Sequence, residues 1–141
     1  MLLARALMSA NGFLARAGEF VRANQLFEES TTILRDVGDI EYLANVLIAH
    51  GKVLCVMGKL SLAHEKIGEG IQLAIKDKND WVLGLGYVNR GYVFGQEGNY
   101  TRAHELIQSG LSIYKEIKNL HGVAFALNTL GPILIQLERF D

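Results

Sequence analysis

The chain contains one proline in 141 residues, one cysteine, and no excess of charge of either sign. With a single proline and 50% hydrophobic residues it is not a low-complexity or disordered sequence, because it carries enough apolar surface to offset the entropy of ordering. Cys55 alone forms no internal disulfide. Fourteen Lys and Arg stand against 15 Asp and Glu, a net charge of −1, so no whole-molecule basic field draws in phosphate backbones or anionic lipid. Direct nucleic-acid and membrane partners are not expected. The opening MLLARALMSANG carries Arg5 inside its apolar stretch and lacks a basic leader and a signal-type cleavage context, which leads us to expect a cytoplasmic location. Sustained period-two alternation is missing as well, and no strands are expected.

What the sequence does have is a repeat of 40 residues. Gly51, Gly91 and Gly131 share one column, Gly18, Gly58 and Gly98 another, and Ala23, Ala63 and Ala103 a third. Large apolar residues keep the same register: Leu47, Tyr87 and Leu127; Leu54, Phe94 and Leu134; Phe27, Ile67 and Ile107. Three complete units occupy 2–41, 42–81 and 82–121, and a half unit occupies 122–141, so we expect a piece of a longer array. Inside each unit the apolar steps are three, four and seven, which is helical spacing. Asp39, Asn79 and Asn119 supply N-cap side chains, and the Gly58 and Gly98 column supplies the left-handed residue that closes a helix. The spacing predicts an all-α chain of about seven helices, over 2–17, 20–36, 40–57, 60–76, 80–97, 100–117 and 120–138.

Tyr87, Gly91, Phe94, Gly98, Tyr100, Ala103 and Ile107 make the best copy of a pattern that resembles the tetratricopeptide repeat. The unit is 40 residues instead of 34 and lacks the usual closing proline. Segments such as LFEESTTILRDVGD and AFALNTLG resemble the longer repeats in the sensor regions of bacterial ATP-dependent transcriptional regulators of the LuxR and signal-transduction ATPase type. The resemblance implies a right-handed superhelical solenoid of antiparallel helix pairs, with first helices on the concave side, and a sensor or scaffold role in signal transduction. By the family's register the groove is lined by Asn45, Ile48, Lys52, Leu85, Val88, Asn89, Tyr92, Gln96, Phe125, Asn128 and Gln136. This mixed apolar and amide surface suits an extended peptide or protein segment, since Asn and Gln both donate and accept hydrogen bonds. The basic clamp that some family members use is not carried over, because Ala49, Val88 and Tyr92 stand at its positions.

Catalytic and cofactor motifs are missing, and no enzyme activity, cofactor or metal is expected. Gly84, Gly86, Gly91 and Gly95 match no nucleotide-binding spacing and lie in a predicted helix. Each costs roughly 1 kcal/mol against alanine there, which makes 80–97 the expected soft helix. His64-Glu65 and His104-Glu105 lack the second histidine of a zinc-protease motif. Pro132 breaks the helical pattern and should cost about 3 kcal/mol or bend its helix. An alternative role is structural: the last helix carries no charge from 122 to 137, and Leu127 and Leu134 would drive self-association into a homo-oligomer.

Overall fold

The computed structural model describes residues 19–140. Six helices make up the described chain: α1 (Phe20–Val37), α2 (Ile40–Val56), α3 (Leu60–Lys76), α4 (Asp80–Gln96), α5 (Tyr100–Glu116) and α6 (Leu120–Phe140). Six helices replace the expected seven, and the first of those, over 2–17, lies outside the described residues. The other boundaries fall within two residues of the spacing-based ones. Asp39, Asn79 and Asn119 cap as expected, accepting from the backbone N–H of Tyr42, Val82 and Gly122 at 3.1, 3.1 and 3.0 Å. Asn99 does the same for Arg102 at 3.2 Å, a cap on a second helix that the column pattern did not announce.

The turns repeat every 20 residues, twice as often as the side-chain columns. Gly38, Gly58, Lys78, Gly98 and Lys118 all have φ between +54° and +85°. After each, the next N–H reaches back five residues: Asp39 to Leu34, Lys59 to Leu54, Asn79 to Ala74, Asn99 to Phe94 and Asn119 to Tyr114, at 2.9–3.2 Å. This is the closing bond of a Schellman-type cap. Glycine adopts the left-handed region without penalty, whereas a side chain there costs roughly 1–2 kcal/mol. Lys78→Gly and Lys118→Gly are therefore each expected to raise stability, by about 0.5–1 kcal/mol after the greater freedom of the unfolded glycine is subtracted. Urea unfolding at pH 7 measures this as a higher midpoint with unchanged slope.

The helices pack as pairs in two layers. Every helix lies against its chain neighbours, and α2 touches α4 and α4 touches α6, so the first helices form a continuous layer. Among the described residues the backbones of the second helices α1, α3 and α5 do not approach one another. Long charged side chains cross the wider gap instead: Arg35 pairs with Glu69, and Lys66 Nζ lies 3.7 Å from Glu28. Such partly exposed pairs contribute little. Stability comes from the apolar columns, with Ala23, Ala63, Ala103, Ile67 and Ile107 fully buried and Phe27 nearly so.

Small residues set how closely the pairs approach. A Cβ at Gly51 would stand 2.9 Å from the Ala63 carbonyl oxygen and 2.3 Å from Ile67 Cγ1. At Gly91 it would meet the Ala103 oxygen at 2.9 Å and Ile107 Cγ1 at 2.6 Å. The approach is reciprocal, because a Cβ at Gly70 would meet the Ala44 oxygen, and one at Gly110 the Gly84 oxygen, both at 2.9 Å.

Candidate functional groove

The first-helix layer carries two adjoining cavities, one of which reaches back to Tyr114 of α5. One, of about 280 Å³, is lined by Lys52, Tyr92, Gln96, Phe125, Asn128, Thr129, Pro132 and Ile133, so α2, α4 and α6 all contribute. Lys52, Tyr92 and Pro132 occupy one column of the repeat, which is why three helices deliver side chains to one place. The Lys52 ammonium lies 5.1 Å from the Tyr92 ring centre and 5.6 Å from that of Phe125. Both are cation–π distances. The other cavity, of about 220 Å³, is lined by Trp81, Leu85, Tyr114, His121, Gly122 and Phe125. Phe125 is the shared wall.

Burial sets the charges in this groove. Desolvation pushes the Lys52 ammonium below the ordinary lysine value, with Cys55 opposing it weakly. Burial also raises the Tyr92 hydroxyl and the Cys55 thiol, and Cys55 packs in the apolar cluster of Leu54, Ala63 and Ile67. No carboxylate lines either cavity. The helix runs on through Pro132, which has no N–H to donate to the carbonyl of Asn128 at the cavity wall. Thr129 Oγ1 donates to the Phe125 carbonyl at 2.9 Å and so ties the hydroxyl to its own helix.

Five positions chosen from sequence, Lys52, Tyr92, Gln96, Phe125 and Asn128, thus meet at one cavity, and Leu85 lines its neighbour. Three others are corrected. Ile48 and Val88 have no exposed surface, and Asn89 is 4% exposed. Ile48 packs with Ala44, Ala74 and Val82, and Val88 belongs to the cluster of Ile107 and Leu111. Asn89 Nδ2 donates to the Leu85 carbonyl at 3.1 Å. The reason is crowding: Ile48 of α2 lies against Gly70 of α3, and α4 is packed on by α2, α3, α5 and α6, which leaves on it a narrow stripe of Trp81, Leu85, Tyr92 and Gln96. Asn45 and Gln136 are half-buried and line neither cavity. Leu127 and Leu134 are 50% and 40% exposed on α6.

The sequence pattern did not single out Trp81, Tyr114 or His121 as lining a cavity. The signal available was the step of four from Trp81 to Leu85, which puts both on one helix face. Away from the groove, His64 pairs with Glu97 and its ring lies 4.5 Å from that of Phe94. Among the described residues no three His, Cys, Asp or Glu side chains gather at a metal-binding distance. No protein-family model matches the chain, and no curated protein matches it in sequence.

Proposed function

We propose that the chain is a non-catalytic binding module, a superhelical solenoid of tetratricopeptide type whose first-helix groove holds an extended peptide or protein segment. The observation that carries this reading is the convergence of Lys52, Tyr92, Gln96, Phe125 and Asn128 from three helices on one cavity. The unequal layers support a curved stack, since helices that touch on one side and stand apart on the other bend toward the closer side. A sensor or scaffold role within a cytoplasmic bacterial regulator follows from the repeat resemblance. By length and composition α6 is apolar enough to cross a membrane. We read it as an array helix because Ala126, Leu130 and Ile133 are buried in the same cluster as Ala103 and Ile107.

A second reading, self-association, is favoured by Leu127, Leu134 and Ile135, which remain 50%, 40% and 59% exposed where the matching Leu47, Leu54 and Cys55 are buried. The two readings separate in one experiment. Degenerate octapeptide pools are titrated by fluorescence anisotropy against the parent, Tyr92→Ala, Gln96→Ala and a Leu127→Glu/Leu134→Glu double variant, and the mass of each is measured by sedimentation. The groove reading expects at least a tenfold affinity loss in the first two variants and none in the double variant. Peptide binding unchanged by Tyr92→Ala and Gln96→Ala, or lost together with oligomers in the double variant, defeats it.

A further inference from the structure

Among the described residues Lys52 is the one lysine or arginine lining either cavity, and it makes no ion pair there. The contrast with the second helices is direct, because Arg35, Lys66 and Arg102 all reach carboxylates there. A half-buried ammonium retained between two aromatic rings with no counter-charge is an incomplete arrangement. Burial already works against its charge, which an anion delivered to it would restore. Around it stand the amide groups of Gln96 and Asn128, able to donate to an oxygen anion, and the Asn128 carbonyl that Pro132 leaves without its usual helical donor. The latter is free to accept from an N–H donor brought to the cavity.

The neighbouring cavity has the opposite chemistry. Its walls are the aromatic and aliphatic surfaces of Trp81, Leu85, Tyr114 and Phe125, and it carries no lysine, arginine or carboxylate. Leu85 in this cavity and Tyr92 in the other are seven residues apart on α4, a rise of about 10 Å. An extended peptide covers that distance in about three residues.

We propose that the groove recognises an acidic peptide by two anchors: an aspartate or glutamate carboxylate seated on Lys52, and an apolar side chain about three residues away in the Trp81–Leu85 cavity. This rests on the groove reading above and adds the chemistry of its ligand. One lysine matches the single charge of a carboxylate. A phosphorylated side chain carries nearly two charges and is held by arginine forks or several cations, which this cavity does not offer. The aromatic walls hold the ammonium in place before the ligand arrives, so less ordering entropy is lost on binding.

The test uses labelled octapeptide pools with tryptophan fixed at one position and Glu, Gln, Lys or phosphoserine fixed three positions later, the remaining positions being degenerate. Titrated against the parent chain, the Glu pool is expected to bind at least tenfold tighter than the Gln pool, with the Lys pool weakest. Lys52→Met, with Lys52→Gln as a second variant should the first fail to fold, is expected to abolish the preference for the Glu pool over the Gln pool. Leu85→Glu is expected to weaken both. Equal binding of the Glu and Gln pools, or tighter binding of the phosphoserine pool, overturns the carboxylate assignment while leaving the groove intact. Absence of binding by every pool, or binding that Tyr92→Ala does not touch, overturns the groove reading and this one with it.

Discussion

Alanine at Gly91 is expected to destabilise the array by about 2 kcal/mol and valine to prevent folding, while alanine at Gly131, in the same column of the repeat, is expected to stabilise it by up to about 1 kcal/mol. Helix propensity favours alanine over glycine by about 1 kcal/mol at all interior positions, so the sign is decided by space. At Gly91 a Cβ lies 2.9 Å from the Ala103 carbonyl oxygen and 2.6 Å from Ile107 Cγ1. Ile107 is fully buried and can shift only by disturbing its neighbours, and the carbonyl is backbone, so relief requires the α4–α5 pair to part. Gly51 faces the same constraint across α2–α3. At Gly131 nothing lies within 4 Å, because no second helix packs against α6 at that position among the described residues. Urea unfolding of Gly51→Ala, Gly91→Ala and Gly131→Ala settles the matter. If all three midpoints move in the same direction, close approach is not what the column encodes.

Mild acid is expected to remove about 3 kcal/mol of stability through one side chain, His50. It is fully buried, stacked on Phe27 with ring centres 5.1 Å apart and planes 11° from parallel. Its Nε2 lies 2.5 Å from Asn24 Oδ1, an acceptor, which assigns the proton of the neutral ring to Nε2. Nδ1 has no partner among the described residues, so a second proton would sit buried without an acceptor. Desolvation therefore lowers the pKa from 6.5 to about 4, Glu28 opposing and Lys66 reinforcing the shift. The folded value is the depressed one: the unfolded chain takes up a proton near pH 6.5 and the folded chain resists until about pH 4. This contribution is complete above pH 6.5, falls by up to about 1.4 kcal/mol per pH unit on acidification, and levels off below pH 4. Urea midpoints across pH 7 to 4.5 measure it. His50→Gln should be less stable at pH 7 and markedly flatter over that window. Equal slopes for the two proteins would mean that His50 is not the group responsible.

Much of the architecture was legible because the residues that end helices announce themselves. Asp39, Asn79 and Asn119 are short oxygen-bearing side chains before apolar runs, and they cap those helices. Lys78 and Lys118 carry no such signal, since nothing in a lysine indicates positive φ; the 20-residue spacing of the helices was legible, but the left-handed geometry that closes every turn was not. The glycines of α4 were legible as a cost and illegible as a requirement. Gly84, Gly86, Gly91 and Gly95 are all buried, and a Cβ on each would meet Tyr114, Ile71, Ile107 and Ile133 at 2.6–3.1 Å. Whether such a glycine loosens a helix or admits a neighbour depends on side chains that are distant in the chain.

The groove was legible to the resolution of a column. Lys52, Tyr92 and Phe125 emerged because register alone carries them to one face. Ile48, Val88 and Asn89 were misplaced because helical periodicity describes a face about 100° wide, while α2, packed on by three helices, and α4, packed on by four, each keep only a line of it open. The cavity around Trp81 and Tyr114 depends on the Tyr114 ring lying against Gly122, where a Cβ would stand 2.1 Å from it, a contact that no spacing encodes.

The equivalent joints at 38–39 and 78–79, both left-handed and both followed by a capping side chain, bear on how such a chain changes length. Splicing Asp39 directly to Asp80 would remove one helix pair and leave a left-handed glycine, a capping carboxylate and a backbone bond from residue 39 to Leu34, as at the original joint. Excising 20 residues would also preserve a turn, but it would bring a second helix, with its charged face, into the row that forms the groove. The joints tolerate either edit and the layers only the first, so arrays of this kind grow and shrink by whole pairs.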